Sequence, residues 1–149
     1  MALQVGDKIP LFIAKDSNGA PFDISHYFDK PLVIYFYPKD DTPGCTIQAC
    51  TFRDQYQDFK DLGADVIGIS SDSVQSHQKF IKRYKLPFIL LSDYDKKIRN
   101  AFGVPNDLFG LLPGRATYVT DKKGIIQLIF DSTSSKIHIQ KALEILKRM

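Results

Sequence analysis

The chain has 149 residues, 44% hydrophobic and 25% charged, with a formal net charge of +3. That length and balance suit one globular domain, residues 1–149, able to bury a core without disulfide or metal staples. No apolar stretch approaches the roughly 20 residues of a membrane-spanning helix, and basic residues come in runs no longer than a pair such as Lys122-Lys123. Membrane and nucleic acid are therefore poor partners, and the lysines read as solvated surface.

The start, Met1-Ala-Leu-Gln-Val-Gly-Asp7, lacks the basic and apolar regions of a secretory signal. The expected location is cytoplasmic or another reducing compartment, including an organelle reached after loss of a transit segment. Two cysteines, Cys45 and Cys50, are too few for a cysteine-built zinc site. In a reducing compartment they point to chemistry more than to a structural staple.

Residues 11–14 and 21–24 flank the turn signal Asp16-Ser-Asn-Gly19 and predict an N-terminal hairpin. Residues 32–37 (Leu-Val-Ile-Tyr-Phe-Tyr) form an unbroken apolar and aromatic run stopped by Pro38, the pattern of a strand buried on both faces. Cys45, Ala49, Phe52, Tyr56, Phe59 and Leu62 then recur at helical spacing as one apolar stripe. Thr42 as N-cap, Pro43 at the first helical position and Gly63 as stop delimit that helix. Residues 66–70 predict a second core strand, and 73–84 a second helix with Val74, His77, Ile81 and Tyr84 on one face. A short strand over 88–91 and a helical turn over 96–102 follow. Residues 116–120 and 125–130 straddle Asp121-Lys-Lys-Gly124 as a hairpin, and 135–149 closes the chain as a helix packing through Ile139, Ala142, Leu143 and Leu146. Strand–helix–strand units ending in a hairpin and a helix imply an α/β fold with a central mixed sheet flanked by helices.

The chemistry concentrates in Tyr35-Phe-Tyr-Pro-Lys-Asp-Asp-Thr-Pro-Gly-Cys45-Thr-Ile-Gln-Ala-Cys50. Cys45 falls in the first turn of the predicted helix, where unpaired N–H groups and the positive end of the macrodipole favour thiolate over thiol. The Thr42 hydroxyl can donate to sulfur or to a bound oxyanion, Gly44 lets the backbone approach a ligand, and Pro38 can wall the thiolate from water. A second reading fits the same residues: a cysteine on a helix's core face as a small hydrophobe, Thr42 only a cap and Pro43 only a helix starter. The Cys-x4-Cys spacing matches neither the CxxC of a disulfide reductase nor a zinc knuckle. His26, His77 and His138 all lie away from Cys45 in sequence and read as surface or rim residues, with Ser25 as the cap beside His26.

Pro38-Lys-Asp-Asp-Thr42-Pro-Gly-Cys45 resembles the Pro-x3-Thr-x2-Cys signature of the peroxiredoxins. The fuller run to Cys50, with Phe52-Arg-Asp54, Gly68-Ile-Ser70 and Leu112-Pro-Gly-Arg115-Ala-Thr, is similar to their peroxiredoxin Q branch, the bacterioferritin comigratory proteins. The resemblance extends over essentially the whole chain. It implies a thioredoxin-like fold and reduction of hydrogen peroxide and organic hydroperoxides as antioxidant defence. Cys45 would be the peroxidatic thiolate, with Pro38 and Thr42 shaping its pocket and Arg115 and the Gly44 and Cys45 amides stabilising charge at sulfur and oxygen. Substrate would be bound by Thr42, Gly44, Cys45 and Arg115. Cys50 would be the resolving thiol, in an intramolecular Cys45–Cys50 disulfide recycled by thioredoxin or a similar dithiol. No cysteine follows Cys50, which excludes a resolving cysteine near a partner chain's C-terminus and leaves a one-cysteine mechanism as the alternative. The resemblance favours a monomer. The thiolate itself displaces water or an alcohol from the O–O bond, so no metal or other cofactor is expected.

Members of this branch commonly carry Glu three residues after the peroxidatic cysteine, where this chain has Gln48. The amide oxygen accepts a hydrogen bond but supplies no charge. If Cys45 and Cys50 share one unbroken helix, their Cα atoms stand about 8.7 Å apart, combining a rise of about 7.5 Å with roughly 140° of rotation. A disulfide spans no more than about 7 Å, so the implied bond requires the first turns to unwind. A disulfide reductase and a non-catalytic binding module of the same fold are the rival functions, each separated from a peroxidase by whether peroxide consumes the thiols.

Overall fold

Two runs of branched and aromatic residues occupy the centre of the molecule. In the computed structural model, which describes residues 3–104, 106–107, 112–113, 115–131 and 137–149, β3 (Leu32–Phe36) and β4 (Asp65–Ser70) lie parallel, Leu32 opposite Asp65 and Phe36 opposite Ile69. Both are buried along their whole length, as unbroken apolar runs require. β1 (Ile13–Asp16) and β2 (Pro21–Asp23) form the N-terminal hairpin, which extends one edge through β5 (Ile89–Ser92). The hairpin of β8 (Ala116–Thr120) and β9 (Ile126–Asp131) extends the other edge, giving the seven-strand order β2-β1-β5-β4-β3-β8-β9. The short β6 (Asn106–Asp107) and β7 (Leu112–Pro113) pair with each other in a separate two-stranded sheet.

Alternation along β3 divides its side chains between two layers. Val33 and Tyr35, followed by Tyr37, face α1 (Pro43–Asp54) and α5 (Ile137–Arg148), packing with Cys45, Ala49, Phe52, Ile139, Ala142 and Leu146. Leu32, Ile34 and Phe36 face the opposite layer, where Ile98 and Phe102 of α4 (Lys97–Phe102) and Ile24 complete the core. α3 (Val74–Tyr84) starts at Ser73, whose hydroxyl accepts from the Ser76 N–H at 3.1 Å. The result is the mixed sheet flanked by helices that the sequence pattern predicts, in the thioredoxin-like arrangement that the resemblance implies. Gly114 and residues 135–136, the expected start of the last helix, lie outside the described residues.

The helix expected to run unbroken from Thr42 to Gly63 is divided. Gln55, at φ −107° and ψ 11°, leaves the helical region, and α2 (Tyr56–Asp61) follows. Hydrogen bonds from Gln55 N to Thr51 O and from Phe59 N to Gln55 O bridge the irregularity. Phe52 and Phe59 therefore remain on the same buried face, and the apolar stripe passes through the break. Gly63, at φ 77°, ends the segment in the left-handed conformation that a stop glycine supplies.

Phe52 is fully buried, stacked on Tyr35 at 4.6 Å between centroids and edge-on to Phe88 at 6.1 Å. Phe52→Ala is expected to lower unfolding stability by about 3–5 kcal/mol, read from urea unfolding monitored by circular dichroism.

Candidate functional site

β3 ends where Pro38 removes a backbone donor. Tyr37 N still bonds Ile69 O at 3.1 Å, and the chain then turns away through residues 38–42. This loop is fastened from behind. The Asp40 carboxylate accepts from Tyr37 Oη at 2.5 Å and from Ser76 Oγ at 2.8 Å, and it pairs with His77 Nδ1 at 2.7 Å. The Asp40 amide donates to Asp72 Oδ2 at 2.8 Å. Asp41, held at φ 60°, accepts from Arg83 at 2.9 Å and from Tyr84 Oη at 3.1 Å. Asp40, Asp72 and His77 bring metal-ligand types together, but each already takes part in this internal network.

His77 corrects the expectation of a rim residue. It is fully buried, because its Nε2 donates to Leu91 O at 2.9 Å while Nδ1 meets Asp40, satisfying both polar ends of the ring. His138 is buried too, against Thr117 Oγ1 at 2.8 Å and edge-on to Phe130. His26 is exposed as expected, although the cap beside it is Asp23, which accepts from Ser25 N at 2.9 Å.

The loop delivers the start of α1. Thr42 occupies the N-cap position, and its carbonyl accepts from Thr46 N at 2.8 Å. Its hydroxyl does not cap the helix. It donates back to Lys39 O at 2.9 Å and closes the turn, leaving its oxygen lone pairs as acceptors. Pro43 and Gly44 follow, so Cys45 is the third helical residue, beside N–H groups with no intrahelical partner. Cys45 is 2% exposed.

The antiparallel register places Ala116 of β8 opposite Phe36, the last residue of β3. Arg115, one residue earlier, thus stands at the sheet end where the loop begins. It is 6% exposed; Nη2 donates to Cys45 Sγ at 3.5 Å, and Nη1 donates to Gln48 Oε1. A Cβ on Gly44 would sit 3.1 Å from Arg115 Nη2, so the missing side chain leaves room for the guanidinium against the helix start. Gly44, Cys45, Gln48 and Arg115 are thus gathered, Pro38 sits half-buried at the strand end, and the Thr42 hydroxyl is turned toward Lys39. Cys50 is a free, half-buried thiol on the same helix as Cys45.

Tyr35 belongs to this site and was missed by the sequence reading. Burial holds its phenol well above the ordinary range, and negative charge at Cys45 pushes the same way. Its hydroxyl has no hydrogen-bond partner among the described residues, and its ring lies so close to Gly68 that a Cβ there would meet Tyr35 Cζ at 2.8 Å. Strand alternation could have found it, since Val33, Tyr35 and Tyr37 share the face turned toward α1. A cavity of about 380 Å³ is lined by Ile13, Lys15, Ser92 and Asp95 among others, and not by Cys45 or Arg115.

The chain matches the AhpC/TSA family over residues 5–129. The chloroplastic peroxiredoxin Q of Sedum lineare is 52% identical over 145 residues, spanning 97% of this chain and 78% of the relative. Peroxidoxin BcpB of Mycobacterium tuberculosis has a TM-score of 0.91 at 34% identity, with 99% and 98% of the two chains covered. The bacterioferritin comigratory protein of Xanthomonas campestris, studied for alkyl peroxide reduction, has a TM-score of 0.86 at 29% identity, with 95% and 98% covered.

Gly44→Ala separates the local geometry from helix stability. The added methyl presses on the Arg115 guanidinium and is expected to slow alkylation of Cys45 by iodoacetamide. Helix propensity alone favours Ala by up to about 1 kcal/mol, so the melting temperature is expected to stay level or rise.

Proposed function

This chain belongs to the AhpC/TSA family, as a thiol-dependent peroxidase of the peroxiredoxin Q group, and on that footing we propose that Cys45 is its peroxidatic thiolate and Cys50 its resolving thiol. The observation that carries this reading is the 3.5 Å approach of Arg115 Nη2 to Cys45 Sγ at a helix N-terminus. A sulfur anion is stabilised there by a guanidinium and by first-turn N–H groups out of contact with water. Charge developing on the peroxide oxygens meets the same donors.

In the proposed cycle the Cys45 thiolate attacks one peroxide oxygen and the O–O bond breaks. Sulfenic acid remains on Cys45, and the departing oxygen takes a proton to leave as water or an alcohol. Thr42, whose hydroxyl hydrogen is engaged by Lys39 O, offers its lone pairs to the peroxide O–H. Pro38 and the Gly44 backbone border the entrance. The Cys50 sulfur then attacks the sulfenic sulfur, giving a Cys45–Cys50 disulfide and water. Thioredoxin or a similar dithiol reduces the disulfide, with transfer of two electrons and two protons.

Both cysteines lie within α1, where helix geometry holds their Cα atoms about 8.7 Å apart. A disulfide tolerates no more than about 7 Å. Resolution therefore requires the N-terminal turns to unwind while the fully buried Phe52 holds the following turn to the sheet. The site lies within one chain, in keeping with a monomer. The chloroplastic relative makes an organellar setting as consistent with this chain as a cytoplasmic one. Among the described residues, no helix is long and apolar enough to cross a membrane.

Cys45→Ser is expected to abolish peroxide reduction. Cys50→Ser is expected to react once, accumulate sulfenic acid and over-oxidise. Stopped-flow kinetics with thiol counting checks both, and peroxide turnover surviving in Cys45→Ser would reverse the roles. Wild-type thiols untouched by peroxide would instead favour the disulfide reductase or the non-catalytic binding module.

Arg115→Ala is expected to slow Cys45 oxidation roughly a hundredfold, the scale of losing one preorganised charge-stabilising donor. Arg115→Lys should recover only part, since a point charge lacks the planar fork. Rate constants for oxidation by hydrogen peroxide check this, and unchanged kinetics in Arg115→Ala would make the residue structural.

A further inference from the structure

Arg115 is a buried cation whose polar partners among the described residues include no permanent anion. Its guanidinium donates to the neutral Gln48 amide and to Cys45 Sγ, and the ion pairs among the described residues all involve other groups. Guanidinium does not lose its proton in proteins, and a charge removed from water needs an opposite charge nearby. Cys45, as a thiolate, supplies it. Gln48 carries a second mark of this arrangement. It is fully buried, its Oε1 is committed to Arg115, and its Nε2 has no hydrogen-bond partner among the described residues. The closed site therefore holds a cation and an unpaired amide donor, compensated chiefly by the charge on one sulfur.

We propose that Gln48 makes this site self-releasing: by leaving the Cys45 thiolate as the only counter-charge that the described residues offer Arg115, it couples oxidation of Cys45 to unwinding of the first turns of α1. The proposal rests on the reading of Cys45 as the peroxidatic thiolate. When that thiolate takes an oxygen from peroxide and the resulting sulfenic acid is protonated, the negative charge leaves with the departing oxygen. Arg115 is then buried without a counter-ion, beside a Gln48 amide nitrogen that finds no acceptor among the described residues even in the reduced state. Unwinding exposes both to water and brings Cys45 to Cys50. Attack by the Cys50 sulfur forms the S–S bond and releases the sulfenic oxygen as water, so the disulfide is also uncharged and the open form persists. Reduction restores the thiolate and with it the pair that closes the helix. Gln48 in this sense acts on the resolution step through Arg115, by its lack of charge.

The test compares full-length wild type, Gln48→Glu and Gln48→Met, each reduced and mixed with one equivalent of hydrogen peroxide. Sulfenic acid is trapped with dimedone, and disulfide and sulfinate are measured by mass spectrometry at successive times. Glutamate gives Arg115 an anion in every redox state. Gln48→Glu is therefore expected to form the disulfide about tenfold more slowly, as a retained buried pair implies, and to yield more sulfinate when peroxide is in excess. Methionine fills similar space without charge, so Gln48→Met is expected to resolve at the wild-type rate or faster. Resolution of Gln48→Glu at the wild-type rate would overturn the proposal. So would equal slowing of both variants, which would assign the effect to packing. A wild type that loses no thiol to peroxide would overturn the peroxidase reading itself, an outcome distinct from either of these.

Discussion

A guanidinium entering β8 and a sulfur in the first turn of α1 meet at 3.5 Å in a place almost closed to water. Neither residue reaches that point by its own local preference. The antiparallel pairing of β3 with β8 brings Arg115 to the sheet end where β3 stops, and Pro38 stops it there. The missing side chain of Gly44 then lets the cation lie against the helix. Loss of any of these constraints would separate a charge from the partner that makes its burial tolerable.

The surrounding structure is held with unequal strength, and that inequality suits the chemistry. The loop before α1 is tied to α3 and to the end of β4 through Asp40, Asp41, Asp72 and His77. Farther along, Phe52 and Phe59 anchor the helix pair by burial alone. Between these fixed ends lies the turn carrying Cys45 and Gln48. It holds one buried polar group without a partner among the described residues, the Gln48 amide nitrogen. Such a group costs about 1–3 kcal/mol relative to solvation. The segment that the proposed Cys45–Cys50 bond would displace thus carries an unsatisfied buried group within a well-packed layer.

Much of this could be read from residue order, and the parts that could not share a cause. The apolar runs of β3 and β4, the Asp16–Gly19 and Asp121–Gly124 turns, and the Pro43 and Gly63 boundaries are local signals, and their elements follow. The break at Gln55 leaves the apolar stripe intact, so the stripe could not reveal it. His77 reads as a rim residue until Asp40 and Leu91, 37 and 14 positions away, are brought to its two nitrogens. The Thr42 hydroxyl looks like a helix cap until the loop's own turn captures it. Arg115 lies 70 residues from Cys45, and only family resemblance pointed to it before the strand register did.

The account turns on a helix that is intact when the thiols are reduced and partly unwound when they are joined. Hydrogen exchange followed by mass spectrometry, on the reduced protein and on the peroxide-oxidised protein, tests this directly. Amides of residues 45–51 are expected to lose protection on oxidation, while those beyond Tyr56 keep theirs. Equal protection along that whole segment in the two states, with the Cys45–Cys50 bond confirmed by mass, would contradict it.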